Sequence, residues 1–161
     1  MIIVSNTTPL IGLAILKRFE LLQQLFGEIY IAQAVYDEAV VGGREIGGAK
    51  YEILSAPWIH TVAVKDQLAV EVLLDELDLG ESETIVLARE INADWVLMDE
   101  KKGRRKLDQL GIRKIGTVGI LLKAKEVGLL STIRPELEKL RSQGSSLSNN
   151  LIEAVLKQAG E

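Results

Sequence analysis

The chain has no cysteine in 161 residues, so it has neither disulfides nor thiolate metal ligands. Its single histidine, His60, cannot build a two-histidine zinc site and leaves few routes to Ser-His-Asp chemistry. Catalysis, if present, must therefore rest on carboxylates, lysines or a hard cation. Only seven residues are aromatic, too few for a platform on which single-stranded bases stack, so nucleic acid contact would run through backbone and metal. Long apolar runs are missing too. The longest charge-free stretch, Met1 to Leu16, is shorter than a bilayer requires and contains Asn6, Thr7, Thr8 and Pro9. It opens with no basic segment, so it reads as the first strand and helix of a cytoplasmic protein rather than a signal peptide or an anchor.

What is present is a 47% apolar composition over a length that suits one domain. The net charge of -4 conceals a division along the chain. Residues 1–98 carry 6 basic against 15 acidic side chains, whereas residues 99–161 carry 13 against 8. Such a split suits an acidic cation site beside a basic surface, or simply solvated helix faces.

Short β-branched runs alternate with helical patterns. Strands are expected at Met1–Val4, Ile29–Ile31, Ile59–Val64 (at a sheet edge), Trp95–Met98 and Arg113–Ile115. Helices are expected from Pro9 to Leu16, then over Phe19–Phe26, Gln33–Val41, Gln67–Glu76, Glu81–Ile91, Lys101–Leu110, Val118–Val127, Pro135–Gln143 and Asn149–Gln158. Gly42 to Gly48 reads as a mobile loop. This alternation predicts an α/β fold with a mainly parallel sheet, whose ligands bind at the carboxyl ends of strands. Two polar clusters sit at such ends, Ser5-Asn6-Thr7 and Asp99-Glu100.

A magnesium or manganese site needs oxygen ligands converging from different elements, and Glu38, Glu81, Glu83 and Asp99 are the candidates. Glu81 and Glu83 point about 200° apart on a regular helix, so one of them is a bystander. Glu81 and Asp99 also have ordinary structural uses. Asp78-Leu-Gly-Glu81 matches a capping box, and Asp99 would cap the helix that follows. Downstream lies Lys101-Lys102-Gly103-Arg104-Arg105-Lys106, five positive charges in six residues. Placed on a helix, it offers two rails for phosphates, Lys101 with Arg105 and Lys102 with Lys106, or else a solvated helix start. Gly116-Thr117-Val118-Gly119 resembles only half of a dinucleotide turn, so nucleotide binding ranks last. Thr117 is expected to turn its hydroxyl toward the same sheet edge.

Five segments occur in the order seen in PIN-domain-like proteins: Val4-Ser5-Asn6-Thr7-Thr8-Pro9-Leu10-Ile11, Ala34-Val35-Tyr36-Asp37-Glu38, Gly80-Glu81-Ser82-Glu83-Thr84-Ile85-Val86-Leu87-Ala88, Leu97-Met98-Asp99-Glu100 with Gly103-Arg104-Arg105, and Ile115-Gly116-Thr117-Val118-Gly119. From Met1 to about Leu156 the chain resembles this family, and within it a prokaryotic branch related to VapC-type toxins. The resemblance implies a three-layer α/β/α sandwich whose acids bind Mg2+ or Mn2+ and hydrolyse RNA phosphodiesters with a metal-activated water. Carried over residue by residue, the ligands are Asn6, Glu38, Glu81 or Glu83, and Asp99, with Glu100 in reserve. Lys102, Arg104, Arg105 and Thr117 are the expected RNA contacts. The resemblance also implies a homodimer and an antitoxin partner, and the lack of a long apolar run argues against a membrane partner. Active PIN nucleases usually carry Asp where this chain has Asn6. An amide oxygen ligates a hard cation without charge and cannot bridge two. The expectation is therefore one weakly held cation, or a degenerate module that binds RNA or protein without cutting.

Overall fold

A computed structural model of the protein describes residues 1–44 and 46–161. Five strands, β1 (Ile3–Ser5), β2 (Ile29–Ala32), β3 (Ile59–Val62), β4 (Trp95–Leu97) and β5 (Lys114–Ile115), form one sheet in the order β3-β2-β1-β4-β5. Every pairing is parallel, with Val4 opposite Tyr30 on one side and opposite Val96 on the other. Neighbouring residues of a strand face opposite sides of the sheet. Ile3 and Val4 are both fully buried, as are Val96 and Leu97, so helices cover both faces. This is the expected α/β sandwich, and β3 lies at an edge as expected.

The helices are α1 (Thr7–Ile15), α2 (Glu20–Phe26), α3 (Gln33–Tyr36), α4 (Lys50–Leu54), α5 (Gln67–Leu73), α6 (Leu79–Glu90), α7 (Lys101–Gln109), α8 (Thr117–Glu126), α9 (Arg134–Ser142) and α10 (Asn149–Gln158). The expected helix Gln33–Val41 is only half regular. After Tyr36 it widens into a π-helical turn, Asp37–Val41, closed by the Gly42 amide donating to the Asp37 carbonyl at 2.8 Å. Such a turn rotates the residues it contains relative to an α-helix, and it carries Glu38. The expected loop Gly42–Gly48 includes Glu45, which lies outside the described residues, and its described residues form neither helix nor strand. Helix α4 escapes the sequence pattern because five residues with one buried side chain, Ile53, leave no periodicity to detect.

Two further packing details carry predictions. Gly103, which interrupts the basic run, faces the fully buried Met98, whose sulfur would lie 2.7 Å from an added Cβ. Gly103→Ala gains helix propensity but overpacks a side chain with nowhere to go. A net loss of about 1–2 kcal/mol in urea unfolding is expected, and unchanged stability would show that Met98 yields. At the other end of the fold, Glu161 accepts the amides of Ile133 and Arg134 at the start of α9 and the Lys125 ammonium at 2.9 Å. Desolvation pushes its carboxyl up, but Lys125 and the two amides outweigh it and hold the group below its ordinary value. A depressed acid stabilises the fold above its unfolded pKa, and the benefit disappears as pH falls through the folded value. Glu161→Gln should therefore cost less than about 1 kcal/mol at pH 7, since an exposed pair is screened, and the difference should shrink as pH falls through the range where Glu161 takes up its proton, in paired denaturation curves.

Candidate active site

Strand order runs outward from β1 in both directions, so the sheet reverses between β1 and β4, where α/β proteins place their ligands. The residues that leave these two strands are Asn6 and Met98-Asp99. Asn6 stands at the cap position of α1 but makes no capping hydrogen bond with its side chain. Its amide N–H donates to the Leu97 carbonyl at 3.0 Å, and its Nδ2 lies 3.3 Å from the sulfur of Met98. The residue is 3% exposed, and its Oδ1 is buried with no partner among the described residues. A lone buried acceptor of this kind costs about 1–3 kcal/mol unless something fills it.

Further acids approach from two other elements. Glu38, on the π-helical turn, accepts the Thr7 hydroxyl at 2.7 Å and reaches over Gly80, where a Cβ would lie 2.6 Å from its Oε1. Glu81, in the first turn of α6, is buried and accepts the Asp78 amide at 3.0 Å, while Asp78 accepts the Glu81 amide at 2.8 Å. The capping box therefore exists, and it holds Glu81 inside the fold. Desolvation raises the Glu81 carboxyl above its ordinary value; the Asp78 amide opposes this, and the charges of Asp78, Glu100 and Glu38 add to it. Glu83 turns away, accepting the Ala34 amide at 3.0 Å at the start of α3. Between the two glutamates left open by the sequence, Glu81 is the one among the other acids.

Asp99 is oriented by Thr117. The Thr117 amide donates to Oδ1 and the Thr117 hydroxyl to Oδ2, each at 2.7 Å. Asp99 thus supplies a carboxylate to the positive end of α8, not to α7, the helix it would cap in the structural alternative to a ligand role. Thr117 is buried, with its side chain against Gly12, so its hydroxyl serves Asp99 instead of facing open surface. The same contact disposes of the dinucleotide reading, because the amide that would meet a phosphate already holds an aspartate. Glu100 is exposed and accepts the Thr8 hydroxyl at 3.3 Å.

Lys101, Lys102 and Arg105 are exposed on α7 beside this edge, whereas Lys106 is paired with Glu76 at 3.4 Å, so the second expected rail is half occupied. Arg104 bends back and donates from Nη1 to the Met98 carbonyl at 2.9 Å. His60 stands away from the acids, on β3, against the Tyr30 ring and 3.4 Å from Glu28. Sequence reasoning missed Thr7 and Thr8 as partners of the acids, and Met98 as the partner of Asn6 and Arg104. Thr7 and Thr8 belonged to a polar cluster already singled out, but which acid each would meet is a tertiary matter.

Among the described residues no three His, Asp or Glu side chains converge closely enough to hold a metal ion. No helix among them is long and apolar enough to cross a membrane. No curated protein matches the chain. A family model described as a PIN domain (DUF3368) matches residues 2–161. The parallel five-stranded sheet agrees with the nuclease-type fold of that family. The chain belongs to the PIN-domain family.

Proposed function

We propose that the protein is a metal-dependent endoribonuclease that holds one Mg2+ or Mn2+ with Glu38, Glu81, Asp99 and the amide oxygen of Asn6. The observation that carries this reading is the unpartnered, buried Oδ1 of Asn6 at the β1–β4 reversal, the strand end from which Asp99 also leaves. The donors are hard oxygens, and burial and like charge already disfavour the ionised form of Glu81, a cost that a cation relieves. Because no three acids converge among the described residues, one or two of Glu38, Glu81 and Asp99 would ligate the ion directly and the others through water, the habit of Mg2+. Such an ion, when bound, supplies Lewis acidity toward water and phosphate. The chain's own residues do the rest. Thr117 fixes the Asp99 carboxylate, Thr7 fixes Glu38, and Lys102 and Arg105 bind backbone phosphates along α7.

The VapC resemblance extends the proposal to a toxin controlled by an antitoxin in the cytoplasm, and the exposed apolar pair Leu68 and Val72 on α5 suits a second copy as partner. The test is incubation of purified protein with labelled structured and single-stranded RNAs, with Mn2+ or with chelator. Cleavage confined to the Mn2+ arm is expected. A second reading, a module that binds RNA without cutting, is favoured by Asn6 and by the absence of a three-acid cluster among the described residues. Retention of RNA without cleavage in either arm would establish it.

A further inference from the structure

Arg104 differs from the other cations of α7. Lys101, Lys102 and Arg105 extend into solvent, whereas Arg104 is half-buried and its guanidinium is anchored by the Met98 carbonyl at the end of β4. Its Nη1 lies 3.1 Å, and Asp99 Oδ1 2.8 Å, from the point a Cβ would occupy on Gly116. Asp99 and Arg104 therefore share one cradle, kept open by the missing side chain of Gly116. Arg104 makes no ion pair among the described residues, and both Asp99 oxygens are taken by Thr117. A guanidinium has five donors in a rigid fork, so the one bond to Met98 leaves others free. The same edge carries Asn6, which is neutral.

We propose that Arg104 is a built-in cation of the site: it contacts the scissile phosphate beside Asp99 and supplies the positive charge that a second metal ion would supply in an all-acid site. The inference rests on the ribonuclease reading above and assigns this chain one ion plus one guanidinium. Fixed donors aimed at a phosphoryl group stabilise the charge that builds on its oxygens in the transition state. The exposed cations of α7 act differently, since they add affinity along the RNA backbone and lose it to salt.

Two measurements test this. In RNA cleavage with Mn2+, Arg104→Ala should lower kcat by about 100-fold with KM nearly unchanged, and millimolar guanidinium should restore part of the rate. Arg105→Ala should instead raise KM and flatten its salt dependence. Independently of activity, Mn2+ titrated calorimetrically into Arg104→Ala should bind roughly tenfold more tightly than into wild type, because a like charge has been removed. Arg104→Lys, which keeps the charge, should stay near wild type. If wild type cuts but Arg104→Ala cuts equally well, the inference is overturned while the ribonuclease reading stands. If wild type does not cut, the ribonuclease reading fails and the titration decides alone, with equal Mn2+ affinity in wild type and Arg104→Ala sinking the inference. Thermal melts of each variant identify any loss that comes from unfolding.

Discussion

Asp99→Asn is expected to abolish Mn2+-dependent RNA cleavage, by about 100-fold or more, while leaving the protein folded. The substitution is isosteric, and the contacts of Asp99 explain why the fold should survive. One side-chain oxygen still accepts the Thr117 amide, and the new NH2 donates to the Thr117 hydroxyl, which can accept as readily as it donated. What is lost is the negative charge at the carboxyl end of β4. Asp99→Ala separates the two duties of this residue, since it also strips the α8 amide of its acceptor and should cost about 2 kcal/mol in denaturant unfolding. The decisive comparison is cleavage rate against stability for the pair. Full activity in a folded Asp99→Asn protein would remove Asp99 from the mechanism. Loss of activity only in step with stability would reduce it to a helix cap.

The second large effect is expected at Asn6, where the natural side chain departs from the acid usual in active PIN nucleases. Asn6→Asp places a carboxylate at a site 3% exposed, with the Met98 sulfur as its only polar neighbour among the described hydrogen bonds. Without metal the new acid should titrate well above its unfolded value near 3.9, because burial disfavours its charged form. A raised acid destabilises the fold at pH above the unfolded pKa, and the penalty vanishes as pH falls below it. In chelator the variant should therefore lose roughly 2–4 kcal/mol at pH 7.5 and match wild type near pH 3. Mn2+ should reverse the loss, bind at least about tenfold more tightly than to wild type, and raise the cleavage rate. The measurements are melting curves across pH with and without Mn2+, and calorimetric titration. Equal Mn2+ affinity in the two proteins would show that Asn6 does not face the ion.

Much of the architecture is legible in the sequence. Strands written as continuous apolar runs, such as Ile29–Ile31 and Trp95–Met98, point to cover on both faces, and alternation with helices then favours parallel pairing. The capping box at Asp78 and Glu81 was equally readable, because it depends on residues three apart. The π-helical turn under Glu38 was not. Its amphipathic stripe is the same as that of an α-helix over five residues, and the wider turn is distinguished by hydrogen bonding rather than by composition.

The sequence alone supplied the chemistry available: oxygen ligands without cysteine or a second histidine, an amide at position 6, and five cations behind Asp99. It did so because residue type and short-range spacing are local properties. Only the tertiary structure decided which side chains are already engaged. Glu83 belongs to α3, Thr117 to Asp99 and Lys106 to Glu76, while Asn6 Oδ1 is left unpaired and Arg104 turns back to Met98. Each of these partnerships except the last spans 18 or more residues of chain or is defined by a missing partner. Where a hydrogen-bond partner comes from another element, only packing fixes it.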